Sequence, residues 1–194
     1  MEAYDALDRR SAAGQSQALF GIVQGSVYPS LRERFTDETV SMNFPGYAVG
    51  GTFIGERKTD TWMAVETVIQ RLPENKPRYL MGCGPPQDLA EGVARGVDMF
   101  DCVVPTRNAR NGTVFTREGK LNVRGGAFKD DLSPLDEQNP MIARYTRAYV
   151  RHLLQVGEVL GLRLATLCSV SYFLELMCEM RRAIIDKAFA DWLH

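Results

Sequence analysis

The chain has 194 residues, 45% hydrophobic and 24% charged, which is ordinary for one globular domain with a sizeable core. Its net charge of -1 decides nothing about nucleic acid, while four scattered cysteines without a CxxC spacing exclude a disulfide framework and point to reduced thiols in a cytoplasmic protein. The opening MEAYDALDRR has no basic-then-apolar signal pattern, and no uninterrupted apolar run is long enough to span a bilayer, so no membrane partner is expected.

Four short apolar runs predict buried parallel strands: Leu19–Val23, Tyr47–Val49, Arg78–Met81 and Met99–Val104. Each stops at a turn or polar signal, namely Gln24-Gly25, Gly50-Gly51, Gly82 and Pro105-Thr106. Between them YPSLRERFTDETVSMN, KTDTWMAVETVIQRLP and PPQDLAEGVARGV fit amphipathic helices. Strand, helix, strand at this spacing is the pattern of right-handed βαβ crossovers. Four such units are too few for an eight-stranded barrel. They fit a small open sheet or half a barrel, and the half barrel predicts a partner or a rearranged closure, because its edges lie open.

After the fourth run the period changes. TVFTREGKLNVR predicts a hairpin over Thr113–Arg124 with Glu118-Gly119 at the turn. A polar loop, KDDLSPLDEQNP, leads to two helices, about Ile142–Leu160 and about Ser169–Leu193. Tyr145, Tyr149, Leu153 and Val156 share a face of the first, and Phe173, Leu176, Met180, Ile184 and Ala188 of the second; both read as core stripes. Arg107, Arg110, Arg117, Lys120, Arg124 and Lys129 face only Glu118 in their segment, a local charge of +5. That is either a solvated face or a phosphate-binding surface.

Ligands of parallel α/β folds bind beyond the carboxyl ends of the strands. Those positions hold Gln24-Gly25-Ser26, Gly50-Gly51-Thr52, Met81-Gly82-Cys83-Gly84, and Asp101 with Cys102. Gln24 offers donors and acceptors to a base edge or amide. The glycines let a flat ligand approach the backbone, although each alone fits a plain turn. Met81 offers a polarizable apolar face. Asp101, read as a buried carboxylate between Phe100 and Cys102, suits a nucleophile or an acid-base group.

The stretches ALFGIVQGSVYPSLRE, GYAVGGTFIGE, KPRYLMGCGPPQDLAEGVARGVDMFDCVVPTRNARNG, GKLNVR and YTRAYVRHLL resemble the bacterial tRNA-guanine transglycosylase (queuine tRNA-ribosyltransferase) family from about Ala18 onward. The resemblance implies an α/β fold: the C-terminal half of a (β/α)8 TIM-like barrel over 18–112, followed by a β-hairpin and C-terminal helices over 113–194, together a single partial domain over 1–194. It implies exchange of guanine at the wobble position of tRNA with a G-U-N anticodon for a 7-deazaguanine base. Asp101 matches the family's nucleophile. Gln24, Gly50 and Gly51 match base-recognising positions, Met81 and Gly82 the pocket wall, and Glu56 an acid behind the pocket, under the Gly-Gly backbone. Arg107 and Arg110 fall in a basic loop that contacts tRNA.

The chain also departs from the family. It begins with MEAYDALDRRSAAGQ, at the helix before the fifth barrel strand, without the front half that carries the family's acid-base aspartate and another that binds the base. The family's zinc ligands, three cysteines and a histidine, are replaced by PLDEQNPMIARYTRAY and Cys168, while His152 and His194 lie elsewhere, so no cofactor is expected and the zinc site reads as lost. Thr52 stands where the family usually has Leu. The expectation is an oligomer, either of this chain or with another transglycosylase chain. The alternatives are a non-catalytic subunit or remnant pairing with a full-length transglycosylase, and a structural half barrel with no tRNA role.

Overall fold

The computed structural model describes residues 18–193. The opening MEAYDALDRRSAAGQ, expected to contain a helix, lies outside the described residues, as does His194. The described chain packs as two compact units, 18–102 and 103–193.

In the first unit four parallel strands pair in sequential order: β1 (Phe20–Val23), β2 (Gly46–Val49), β3 (Arg78–Leu80) and β4 (Met99–Phe100). Phe20 pairs with Gly46, Tyr47 with Arg78, and Tyr79 with Met99. The crossovers contain α1 (Pro29–Ser41), α2 (Lys58–Ile69) and α3 (Pro86–Ala94). Val23, Tyr47, Val49 and Leu80 are buried, as are Val65 and Val68 of α2. Removing such side chains from water stabilises by about 1.5–3 kcal/mol each. The central strand β2 is buried throughout.

Two local readings are corrected. β4 is two residues long, not six, and Val104 already starts a helix, α4 (Val104–Arg110). Pro105 is the reason: proline stops a strand, but its missing N–H costs nothing in the first turn of a helix. The buried stripe of α1 is polar rather than apolar. Arg32, Thr36 and Thr39 face inward, while Leu31 and Phe35 are exposed.

The second unit holds α4, a hairpin and three further helices. The hairpin is β5 (Thr113–Thr116) and β6 (Gly119–Asn122), with Thr116 opposite Gly119, so its turn is Arg117-Glu118, one residue before the expected one. α5 (Arg147–Val156) is capped by Thr146, whose hydroxyl accepts from the Tyr149 N–H at 3.1 Å, and ends at Gly157 with φ +80°. α6 runs over Val159–Ile185, starting well before the expected Ser169, and α7 (Phe189–Leu193) follows. The core gathers Val114, Leu135, Ile142, Val150, Leu153, Leu154, Leu164, Ala165 and Cys168. Tyr149, Val156 and Ile184 of the expected stripes are exposed, because α5 and α6 present neighbouring faces inward. α4 packs on α6 and β5, which puts the change of packing at Cys102, ahead of Gly112. By length and composition alone α6 could cross a membrane; Leu164, Ala165 and Cys168 of its inward face lie in the core of its own unit.

Candidate active site

Because all four strands run parallel, Gln24, Gly50-Gly51, Met81-Gly82 and Asp101 follow strand ends at one edge of the sheet. Gln24 lies against the Gly50-Gly51 backbone. A Cβ added at Gly50 would come within 2.6 Å of Gln24 Nε2, and Gly51 holds φ +66°. Any side chain at these two positions would displace the amide, so the close approach requires glycine. Beneath them is a residue that sequence reasoning missed. The Arg32 guanidinium, fully buried, donates to Gly50 O at 2.8 Å, Gly51 O at 3.1 Å, Val23 O at 3.2 Å and Ser26 O at 2.7 Å. Burial pulls its pKa down, and the charge of Glu56 acts the other way. The signal was a helix whose inward stripe starts with arginine and continues with two threonines.

Glu56 follows the Gly-Gly turn, and its charge acts on Arg32 beneath that backbone. It closes its own loop, accepting from the N–H of Phe53 at 2.5 Å, the N–H of Ile54 at 3.0 Å and Thr61 Oγ1 at 2.7 Å. It is Arg32, not Glu56, that bonds to the Gly-Gly carbonyls. Burial acts to raise the Glu56 carboxyl, but the three donors outweigh it and the net shift is downward. Phe53 holds φ +61°, a backbone conformation that a bulky residue adopts only under constraint, and the carboxylate supplies one. Thr52, which replaces the usual Leu, is buried with its hydroxyl unpartnered among the described residues.

Asp101 is exposed, which corrects its reading as a buried carboxylate: β4 stops at Phe100 and leaves Asp101 just past the strand end. It is nevertheless held. Tyr79 donates its hydroxyl to Asp101 Oδ1 at 2.6 Å, and the Gly82 N–H donates to the same oxygen at 3.0 Å. Oδ2 receives neither bond. The carboxylate raises the Tyr79 hydroxyl to about 12, so the tyrosine remains a proton-bearing donor at neutral pH. Met81 is half-buried beside Gly82, while Cys83 is buried, its thiol pushed by burial to about 12 and so kept from acting as a nucleophile.

Arg107 and Arg110 are exposed on α4, a helix rather than a loop. Arg110 borders an open groove of about 470 Å³, lined also by Val159, Leu162 and Arg163. The +5 charge of the segment is partly cancelled. Arg117 pairs with Glu175 at 3.4 Å and with Glu179, whereas Arg124 keeps its full charge while donating to Leu154 O at 2.9 Å. Glu118, the one acid of that segment, pairs with Arg147 at 2.6 Å.

The residues where zinc ligands would stand do not fit a metal. Cys168 is fully buried, its Sγ 3.7 Å from Phe115 O, and burial pushes its thiol to about 12. A zinc ligand must be a thiolate, with three further donors around the ion. Leu135 and Ile142 share the core with Cys168, and among the described residues no group of three His, Cys, Asp or Glu could hold a metal. The loop is closed by the backbone instead: Leu135 N–H bonds Tyr145 O at 2.8 Å, and the Asp136 and Asn139 carboxyl and amide oxygens accept from Gln138 and Met141 N–H. His152 is exposed on α5.

An all-parallel α/β sheet with an amide over a Gly-Gly backbone, and a held carboxylate beyond a neighbouring strand, sets these groups at the sheet edge where parallel α/β folds bind their ligands. The chain belongs to the queuine tRNA-ribosyltransferase family, whose model matches residues 2–194. Among curated relatives, a queuine tRNA-ribosyltransferase from Thermoanaerobacter sp. (strain X514) is 53% identical over 172 residues, covering 88% of this chain and 46% of the relative. That of Haemophilus influenzae (strain PittEE) is 47% identical over 188 residues, covering 96% and 49%. That of Thiobacillus denitrificans (strain ATCC 25259 / T1) is 46% identical over 190 residues, covering 97% and 52%. The chain thus spans about half the length of the relatives it matches.

Proposed function

We propose that this chain is a tRNA-guanine transglycosylase portion, a single domain over 1–194 that forms the C-terminal half of a (β/α)8 barrel. Its reaction is exchange of guanine at the wobble position of G-U-N tRNA for a 7-deazaguanine, queuine or its precursor. A carboxylate oxygen of Asp101 attacks the ribose anomeric carbon, the glycosidic bond breaks, and the guanine leaves with the bonding electrons. Attack by the incoming base then releases Asp101. Gln24, Gly50, Gly51, Met81, Gly82 and Glu56 form or brace the base pocket, and Arg107 and Arg110 hold tRNA phosphates. The observation that carries this reading is the fixed Asp101 carboxylate at the same sheet edge as Gln24 over Gly50-Gly51.

The departing guanine needs a proton, and general acid help is typically worth about 10²–10⁴-fold. A complementary half, supplied by another chain or by a preceding piece of the protein, provides that acid. The sequential strand order and the exposed Leu19, Ile22, Leu31 and Phe35 at the β1 side support a partner there. The assembly works without zinc, in the cytoplasm, as an oligomer of this chain or with another transglycosylase chain. A second reading is a non-catalytic subunit or remnant that pairs with a full-length transglycosylase; the cysteine-free Pro134–Tyr149 segment favours it.

The test is incorporation of labelled guanine into a matching tRNA by the purified chain, alone and mixed with a full-length homologue rendered inactive at its own nucleophile. Exchange is expected only in the mixture, and Asp101→Asn in this chain should lower it by a factor on the order of 10⁴ or more. Exchange that survives Asp101→Asn would make the chain a scaffold.

A further inference from the structure

We infer that Arg32 is a positioning residue that selects for an oxo group on the bound base, by fixing which way the Gly50–Gly51 and Gly51–Thr52 peptides face. The inference rests on the base-pocket reading above. Arg32 lies in the first turn of α1, and its guanidinium reaches the ends of both β1 and β2. Its Nη1 and Nη2 engage the carbonyls of Gly50 and Gly51 in succession, at 2.8 and 3.1 Å. A trans peptide is planar, with its C=O and the following N–H pointing in opposite directions. With both carbonyls turned inward to the guanidinium, the N–H groups of Gly51 and Thr52 are turned away from it.

The loop could not hold that orientation by itself. Gly51, at φ +66°, is free to rotate to other conformations, and glycine adds no side chain to restrain it. Arg32 supplies the restraint with four bonds to four different carbonyls, a planar fork that an ammonium group cannot copy. Nε anchors the fork to Ser26 O at 2.7 Å, and Thr36 Oγ1 bonds Arg32 O at 2.6 Å, holding the helix turn from which the side chain reaches. The charge matters as well as the shape. A buried cation on the carbonyl side of two peptides draws electron density toward itself, so the N–H groups opposite become better donors. Donors of that kind favour a base that presents a carbonyl oxygen and reject one that lacks it. The amide of Gln24, lying on the same two glycines, is available to read an adjacent polar edge.

The chain, as wild type and as Arg32→Lys, each completed by the complementary half proposed above, is titrated by calorimetry with guanine and with 2-aminopurine, which lacks the oxo group. Wild type should prefer guanine. Arg32→Lys keeps the charge but loses the fork, and should narrow that preference by about tenfold, which corresponds to about 1.4 kcal/mol. A folded Arg32→Lys protein with the wild-type preference would overturn the inference while leaving the pocket intact. Should that variant fail to fold, nitrogen NMR of the wild-type guanidinium decides. Separate, slowly exchanging Nη signals that shift with guanine but not with 2-aminopurine are expected; a freely rotating or unresponsive guanidinium counts against the role. Wild type that binds neither base would instead sink the base-pocket reading, and this inference with it.

Discussion

The two units solve the problem of buried polar groups in opposite ways. In residues 18–102 a charged side chain is taken fully inside, and four carbonyls satisfy it. In residues 103–193 the place where metal ligands would stand is filled by Leu135, Ile142 and a protonated Cys168. The first arrangement is directional and fixes peptide orientation at the sheet edge. The second fills the place with apolar volume, while the loop around it keeps its own backbone hydrogen bonds. Geometry at the edge therefore depends on hydrogen bonds, and integrity of the second unit on volume.

Cutting volume should have the largest effect on stability. Leu135→Ala or Ile142→Ala should destabilise the second unit by about 2–5 kcal/mol, read from denaturant unfolding. A loss below about 1 kcal/mol would mean that the core does not close the loop. Next comes the directional side. Tyr79→Phe removes one of the two donors on Asp101 and should lower partner-restored exchange by about tenfold, a hydrogen bond to a charged group being worth about 1.5–3 kcal/mol. Unchanged exchange would show that Gly82 alone orients the carboxylate.

A smaller effect is expected at Glu56. Its pKa is depressed in the folded chain, so its contribution is present above the ordinary glutamate value of 4.5 and is lost as pH falls from there through the lowered one. Amide exchange at Phe53 and Ile54, compared with amides outside the loop, should become disproportionately faster over that range. Uniform behaviour would detach the loop from its carboxylate. The smallest effect, none, is expected from a chelator: melting should not move, and elemental analysis should find no stoichiometric zinc. A lower melting temperature would break the contrast between the units.

The strands were readable because short apolar runs ended at glycine or proline, and a buried parallel strand needs little more. What failed did so locally. Val104 read as the last strand residue, and Arg107 and Arg110 as loop, because Pro105 is a stop signal for a strand and a start signal for a helix. Asp101 read as buried because it follows Phe100 in an apolar run, yet the strand stops before it. The α6 start was hidden because VLGLRLATLC shows no clean period, whereas Gly157 at φ +80° marks the break that the packing uses. The strand-end candidates were legible, since position alone selects them in a parallel sheet. Arg32 was not, because a lone arginine on a polar helix looks solvated until the carbonyls it serves are in view.

That same residue constrains the order in which the chain can assemble. The acceptors Gly50 O and Gly51 O lie 18 and 19 residues beyond Arg32 in sequence. If α1 docked before β2 had paired with β1, a guanidinium would leave water with only part of its partners present, at a cost of several kcal/mol. Docking of α1 and pairing of β1 with β2 are therefore expected to occur together, and Arg32→Ala should slow both to the same extent. On general timescales, closing a loop of that length is slower than forming helix turns, so loop closure is the expected limit on that step.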